Sequence, residues 1–381
     1  MDTFTVILFF VFLFLLGFRF FIFYKSFFLL KKIKYTSLNP YYPTSFPDVS
    51  IIIPARNEIQ NLRKHLPFVL EQYYRGKFEV IVILDSCTDN SKALILDLSA
   101  KYPILKFTEV FQNKRFDKHK KMAILLGVKA ANYDNLLFID ADCQPNSKRW
   151  LESMANMFVS KDLILGYGGF FKEKTFVNIA QRFDTIYNTV LYMSMAISGN
   201  PYMAVGRNMG YKKRLFYQVG GFKNHYHIAS GNDDLFVKDV AKIAKTEINV
   251  HPHSFVYTEG VKSFREWFHQ KRRHVSVSHM YELKNKIFLS LDAFSRILFL
   301  PVFIILLIFL CGCCNNELKI VVFLGFMKLL GDIVILYPIF KHFDEKKLFF
   351  TSAFMNIFLP VFTSSAMIYN KLFKYKGQRW L

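Results

Sequence analysis

Acidic residues are scarce in this chain. Its 381 residues include 29 Asp and Glu against 50 Lys and Arg, a formal net charge of +21. That balance suits an anionic partner: a membrane surface, a phosphate-bearing substrate or nucleic acid. Charge of either sign is limited to 21% of residues, while 52% are hydrophobic. Disorder is thereby excluded as the main state, since the chain can bury a large core. Cysteine is also short. Cys87, Cys143, Cys311, Cys313 and Cys314 are too few and too unevenly placed for a disulfide framework. The trio at the end of an apolar run has no spaced His or Cys partners, which points to packing rather than metal binding. No internal repeat or low-complexity tract is visible. No zinc-knuckle spacing, RNA-binding signature or basic helix with base-reading side chains occurs, so nucleic-acid binding would rest on charge alone.

Long apolar runs are present instead. Residues 4–24 are apolar except for Arg19, long enough for a hydrocarbon core of ~30 Å at ~1.5 Å per residue. A cleaved signal peptide would have basic residues before the run and a small-residue cleavage site after it. Here Asp2 precedes it, and Lys25, Lys31, Lys32 and Lys34 follow. The expectation is an uncleaved anchor with the following chain in the cytosol of a multi-pass protein of the cell membrane. Three further apolar runs, at 297–314, 318–340 and 348–369, close the sequence. Lys328 and Asp332 share a helix face at i, i+4 and are expected to neutralise each other as a structural pair. Three full crossings would leave the basic tail (Lys371, Lys374, Lys376 and Arg379) outside, against the positive-inside rule, so one run is expected to be re-entrant or interfacial. Pro40, Pro43 and Pro47 make residues 31–47 read as an extended linker. The expected division is 1–24 anchor, 25–47 linker, 48–289 cytosolic domain and 290–381 membrane region.

The middle of the chain alternates strand and helix. Residues 49–53 form a short apolar run stopped by Pro54, and 80–84 and 136–139 are similar runs. Helical periodicity covers 59–72, with Leu62, Leu66, Val69 and Leu70 on one side, then 91–100 and 122–131. This pattern implies a mostly parallel, doubly wound sheet whose ligands sit at the carboxyl ends of the strands. Residues 48–289 hold 35 Lys and Arg less 23 Asp and Glu, a surplus of 12, useful beside anionic lipid.

Polar groups cluster where such a ligand would lie. The first strand leads into Pro54-Ala55-Arg56-Asn57-Glu58, the second into Asp85-Ser86-Cys87-Thr88-Asp89-Asn90-Ser91, the third into Asp140-Ala141-Asp142. Helix capping accounts for Asp89 and Ser91. Asp140, ending Leu-Leu-Phe-Ile, is costly unless paired or metal-bound. Hard oxygen ligands beside a diphosphate suit Mg²⁺ or Mn²⁺. Lys120 and Lys121, at a helix start, oppose the helix dipole and point to an anion nearby.

Taken in order with Gly206-Arg207-Asn208, Gly231-Asn232-Asp233-Asp234-Leu235-Phe236 and Gln270-Lys271-Arg272-Arg273-His274, these motifs resemble family 2 glycosyltransferases. The membrane-bound branch, with ceramide glucosyltransferase-like and carotenoid or polyprenyl-lipid enzymes, looks most similar, over about residues 49–278. The resemblance implies an α/β GT-A fold, the nucleotide-diphospho-sugar transferase fold, with a doubly wound mixed sheet, one N-terminal and about three C-terminal membrane helices. It implies that Glu58 and Asp85 hold the nucleoside, with Pro54 and Arg56 beside them. Asp140 and Asp142 would carry the metal, Mg²⁺ or Mn²⁺, and the diphosphate. Lys120 and Lys121 match the family's basic K-K-x-A element on the donor side. The catalytic aspartate aligns with Asp233, or with Asp234 after a one-residue shift, and Asn232 departs from the usual acidic residue. Gln270-x-x-Arg273-His274 matches Q-x-x-R-W, which puts Gln270 and Arg273 by the diphosphate, where a guanidinium fork fits phosphate. His274 replaces the tryptophan, and Trp267, seven residues earlier, is the expected partial substitute on the acceptor side. Arg207 and Asn208 are expected to line that side too, and Tyr202, Met203 and Arg207, beside the Ser198-Gly199-Asn200-Pro201 loop, to line the pocket that selects the sugar. The tail Tyr375-Lys376-Gly377-Gln378-Arg379-Trp380 resembles the basic aromatic end of the branch.

The implied activity is inverting, metal-dependent transfer from a nucleotide-diphosphate sugar to a lipid or polyprenyl-type acceptor, without nucleic acid. A processive polysaccharide synthase is a second enzyme reading. A membrane transporter or scaffold with a degenerate transferase domain is a third, against which Asp85, Asp140, Asp142 and Asp233 stand intact.

Overall fold

The computed structural model describes residues 3–38, 45–110, 119–228, 230–311 and 316–373. Its strands are β1 (Val49–Ala55), β2 (Phe78–Asp85), β3 (Leu105–Val110), β4 (Asn135–Phe138), β5 (Cys143–Pro145), β6 (Leu163–Leu165), β7 (Gly168–Phe170), β8 (Met209–Lys212), β9 (Thr246–Ile248) and β10 (Val256–Thr258). The main sheet has the order β3-β2-β1-β4-β8-β6-β9, and a small sheet has the order β5-β10-β7. β3, β2, β1 and β4 run parallel, and β8 lies antiparallel between β4 and β6. The sheet is therefore the mixed α/β sheet expected, with its parallel half built by residues 49–138. The three-residue strands were not readable in the sequence, being too short to show a period.

Pro54 does not stop β1. The strand runs on to Ala55, with Pro54 opposite Ile83 of β2. Ile139 N donates to Ile52 O on the β4 side, and residues two apart face the same neighbour. The missing N–H of Pro54 thus points past the last β1–β4 pair, Ile52 and Phe138, where no ladder bond is lost.

The helices of this domain are α2 (Ile59–Leu70), α3 (Ser91–Lys101), α4 (His119–Ala130), α5 (Trp150–Ala155), α6 (Phe176–Ile197), α7 (Lys213–Gln218), α8 (Asp234–Val240) and α9 (Phe264–Val275). α2 buries Leu62, Leu66, Val69 and Leu70, the stripe its periodicity marks. Alternate residues of β1 and β2 enter two different cores, Ile52, Ile81 and Ile83 on one face and Ile51, Ile53, Val80 and Val82 on the other. α4 approaches the sheet closely at Gly127, where a Cβ would come within 2.6 Å of Ile52 Cγ2.

The N-terminal helix departs from expectation. α1 runs without a break from Thr3 to Leu38, so residues 31–38 are helical and not an extended linker. The reason is packing. Ile22, Phe23, Leu29, Leu30 and Ile33 are buried in the same core as α6, and Lys32 pairs with Glu247 of β9 at 3.4 Å. The second half of α1 is a domain helix. Its first half packs Phe12, Leu15 and Leu16 against Phe299, Val302 and Leu306 of α10 (Leu283–Leu310). Pro40 and Pro43 lie outside the described residues.

Beyond α10 come α11 (Asn316–Gly331), a π-helical turn at Asp332–Leu336, α12 (Tyr337–His342) and α13 (Ser352–Leu372). Among the described residues, Thr3–Ser37, Leu283–Leu310, Asn316–His342 and Leu348–Leu372 are long and apolar enough to cross a membrane. Each C-terminal run is one continuous rod and not a re-entrant hairpin. Lys328 and Asp332 are ion-paired, as their spacing suggests. Cys313, Cys314 and the basic tail from 374 onward lie outside the described residues.

Three of these elements meet at a buried polar joint. Arg19 Nη1 of α1 donates to Tyr187 Oη of α6 at 3.0 Å and pairs with Asp292 Oδ1 of α10 at 3.3 Å. Tyr187 Oη donates to the same Asp292 oxygen at 2.6 Å. The Arg296 guanidinium lies 3.8 Å over the Tyr187 ring. The Arg19 and Asp292 side chains are 2% and 5% exposed, so neither charge is relieved by water. Asp292→Ala strands a buried guanidinium and is expected to cost about 3–5 kcal/mol, read as a large fall in thermal unfolding temperature in detergent. Adding Arg19→Leu should restore most of it. An unchanged melt in the single variant would show that the joint does not hold these helices.

Candidate active site

β2, β1 and β4 are neighbours, so the polar segments at their carboxyl ends are brought side by side. Leaving the strands takes two non-glycine residues with positive φ, Asn57 at 53° and Ser86 at 50°. Both are held locally. Asn57 Oδ1 accepts from Thr88 N at 2.8 Å, and Ser86 N donates to Val110 O at 2.9 Å. Asp89 accepts from Ile59 N and Ser91 N, both at 3.1 Å, and so seats the starts of α2 and α3, which is the capping role its position suggests.

Asp85 is fully buried and its Oδ1 accepts from Ser86 Oγ at 3.1 Å. Arg56 lies across the turn with Nη1 buried and without a partner among the described residues. Glu58 accepts from Asn61 Nδ2 at 2.6 Å. Burial pushes the Glu58 carboxyl above its usual range. Asn61 opposes the shift, and the charges of Asp142, Asp140 and Asp89 add to it. Negative charge is thus concentrated at these strand ends.

Lys120, in the first turn of α4, reaches Asp140 Oδ1 at 2.8 Å. Burial alone would lower its ammonium, but Asp140, with Asp233 behind it, holds it above its ordinary value against the opposing charge of Arg273. Asp142 is oriented from the small sheet, its Oδ2 accepting from Thr258 Oγ1 at 3.0 Å. An open recess of about 300 Å³ lies between these groups, lined in part by Pro54, Lys120, Asp140, Gly206, Tyr211 and Asn232.

The acid pair closes the other side. Asp233 caps α8, its Oδ1 accepting from Asp234 N and its Oδ2 from Gly206 N, each at 3.0 Å. A Cβ on Gly206 would sit 2.8 Å from Asp233 Oδ2, so only glycine permits this approach. Asp234 Oδ2 accepts from Tyr281 Oη at 2.7 Å. Burial, and then the charge of Asp233, push the Asp234 carboxyl well above its usual range.

α9 starts with a capping box between Ser263 and Glu266. Gln270 and Arg273 lie half-buried one turn apart, and Arg273 is close enough for its charge to act on Lys120 and His274. The His274 ring is reached by solvent but set deep among protein atoms. That enclosure, and then Arg273, Lys271, Arg207 and Lys120, hold it well below the usual imidazole range. It is neutral at neutral pH.

Some expected site residues are engaged elsewhere. Lys121, unlike Lys120, is 1% exposed and donates to His225 O at 2.6 Å and Ile228 O at 2.9 Å. Adjacent helical positions cannot share a face, so it ties down the 225–228 loop. Asn208 is fully buried. It donates to Tyr167 O and Ser254 O at 2.7 and 2.8 Å and accepts from Trp150 Nε1 at 3.1 Å, so its bonding capacity joins elements and lines nothing. Trp267 is 2% exposed and stacks on Phe362 of α13, centroids 4.3 Å apart, so it cannot substitute for an aromatic ring at His274. Tyr202 is 3% exposed and packs edge-on against Tyr281 at 6.0 Å. Met203 remains half-buried. Arg207 donates to Gly168 O and lies 5.1 Å over the Phe170 ring. Thr258, Gly206 as a donor and Tyr281 were missed, because their partners lie 116, 27 and 47 residues away and no local pattern marks them.

The mixed sheet thus brings carboxylates at the ends of adjacent strands and the Asp233–Asp234 pair into one region of the molecule. Residues 50–220 match the family model described as Glycosyl transferase family 2. The chain is 29% identical over 194 residues to the Glycosyltransferase AglE of Haloferax volcanii, covering 50% of this chain and 60% of that protein. It is 26% identical over 195 residues to the 4,4'-diaponeurosporenoate glycosyltransferase of Staphylococcus haemolyticus, covering 48% of this chain and 49% of that one. The chain thus spans about half to three fifths of these curated relatives. The solved structure of the Mannosyltransferase PcManGT from Pyrobaculum calidifontis, in complex with GDP-Man and Mn²⁺, superposes with a TM-score of 0.56 at 18% identity, over 94% of this chain and 99% of that one. At that identity the likeness is one of fold.

Proposed function

We propose that the protein is a membrane-bound, inverting, metal-dependent glycosyltransferase that moves a sugar from a nucleotide-diphosphate sugar to a hydroxyl or phosphate on a lipid. The observation that carries this reading is the recess lined by Lys120, Asp140, Gly206 and Asn232, where Lys120 is bonded to Asp140 and feels the charge of Asp233, itself bonded to the Gly206 amide. Asp85, Glu58 and Arg56 take the nucleoside end. Lys120, Arg273 and Gln270 face the diphosphate. Asp233, held by two backbone donors, removes the acceptor proton. A hydroxyl has so high a pKa that this transfer is concerted with attack on the anomeric carbon.

Asp140 and Asp142 are suited to a divalent cation. Among the described residues no group of three or more His, Cys, Asp or Glu could hold one, so the protein offers a pair of carboxylates. Mg²⁺ and Mn²⁺ sites of this kind use one or two carboxylates and take the rest from substrate phosphates and water. When bound, the ion supplies Lewis-acid stabilisation of the leaving diphosphate. Asp142 is pre-oriented for it by Thr258, and Lys120 and Arg273 add fixed positive charge where the leaving group develops its own.

The lipid approaches along the apolar helices, and the lysines that follow the first apolar run put the catalytic domain in the cytosol. A reporter fused near residue 160 should read cytosolic, and an outside reading removes access to nucleotide sugars. Asp140→Ala and excess chelator should each abolish turnover and weaken donor binding. Full activity in chelator would leave Asp140 and Asp142 as structural carboxylates. Asp233→Asn keeps shape but loses basicity, so donor affinity should hold while turnover falls about 10²–10⁴-fold. Asp234→Asn should do less. The reverse order moves the base by one residue, and parent rates in both variants end the general-base mechanism.

A further inference from the structure

Asp233 is aimed entirely by backbone donors. One is the first amide of α8, Asp234 N, and the other is Gly206 N. Its direction therefore depends on how the start of α8 and the 200–206 loop are seated. Both are braced by one side chain that no motif contains. Tyr281 Oη donates to Asp234 Oδ2 at 2.7 Å, and the Tyr281 ring packs edge-on at 6.0 Å against Tyr202, four residues before Gly206. We propose that Tyr281 is a positioning residue for sugar transfer: it holds Asp234, and through it the start of α8, so that Asp233 stays aimed into the recess. The proposal rests on Asp233 being the base.

Tyr281 also connects this aim to the membrane region. α10 begins two residues later, at Leu283. Asn285 Oδ1 in its first turn accepts from Asn200 Nδ2 at 2.6 Å, at the head of the same loop. Further along, Asp292 joins α10 to α1 and α6. The seat of the first C-terminal apolar helix is thereby transmitted to both supports of Asp233, at Tyr281 and at Asn200. The groups that act on Asp234 are Asp233, Tyr281 and the Ala204 amide. Tyr281 is the side-chain donor among them, so removing its hydroxyl leaves Asp234 a backbone donor and a like-charged neighbour. A buried carboxylate in that position shifts to find another partner, and the start of α8 shifts with it.

The test uses the full chain in detergent with a membrane lipid extract as acceptor. The donor is whichever of UDP-glucose, UDP-N-acetylglucosamine and GDP-mannose the parent protein consumes. Tyr281→Phe, Asp234→Asn and the double variant are compared for kcat, donor KM and thermal unfolding. Tyr281→Phe should lower kcat by about 10- to 10²-fold, the loss expected from a reacting group misplaced by about 1 Å, with donor KM and melting temperature unchanged. In the Asp234→Asn background the same substitution should add little, because coupled residues are not additive. Parent kcat in Tyr281→Phe overturns the proposal. So do losses that multiply independently in the double variant, or a joint change in KM and melting temperature, which marks a purely structural residue. Asp233→Asn in the same assay separates the two readings. If it retains the parent rate, the base is misassigned; if it is inactive while Tyr281→Phe is normal, the base stands and the positioning role alone fails.

Discussion

A guanidinium and a carboxylate buried together bind helices more specifically than apolar packing can, because either one left alone is very costly. Arg19, Tyr187 and Asp292 form such a joint, and α1, α6 and α10 are fixed relative to one another through it. α6 ends in the loop that delivers Gly206 N to Asp233, and α10 is preceded by the residue that holds Asp234. A polar contact among apolar helices thus sets the frame in which the acid pair is aimed. The second half of α1 shares a core with α6, so this long apolar helix is also part of the α/β domain.

The recess depends on strand adjacency. β2, β1 and β4 stand in order in the sheet, and each ends in a carboxylate or leads directly to one. Burial, with these neighbouring acids adding to it, raises Glu58, and Lys120 is the ion-pair partner of Asp140. On α9, enclosure and then the charges of Arg273, Lys271, Arg207 and Lys120 hold the His274 imidazole low.

α9 is tied to the last apolar helix as firmly as α8 is to the first of the three. Trp267 stacks on Phe362, and Arg272 exchanges hydrogen bonds with Asn370 at 2.8 Å in both directions. A residue that seemed available to the site is therefore used to dock a membrane helix. Lys121 and Asn208 teach the same lesson. Each sits within a motif and is buried and saturated by backbone partners, while Lys120, the neighbour of Lys121, does reach the recess. A motif states which residues occur together but not which way each side chain turns.

The sequence by itself determined the apolar runs, the alternation of strand and helix from 49 to 138, the buried stripe of α2 and the strand-end carboxylates. These are local signals: a period, a run length or a polar residue directly after an apolar strand. Tertiary structure alone decided that β1 passes through Pro54, that residues 31–38 stay helical, that Lys121, Asn208, Trp267 and Tyr202 are buried, and that Thr258, Gly206 and Tyr281 orient the acids. Each of those outcomes depends on a partner far along the chain, whose distance no local pattern records. The acids could be found in the sequence because burying a carboxylate needs a reason. What aims them could not, because an amide, a hydroxyl or a phenol is ordinary until the fold places an acid beside it.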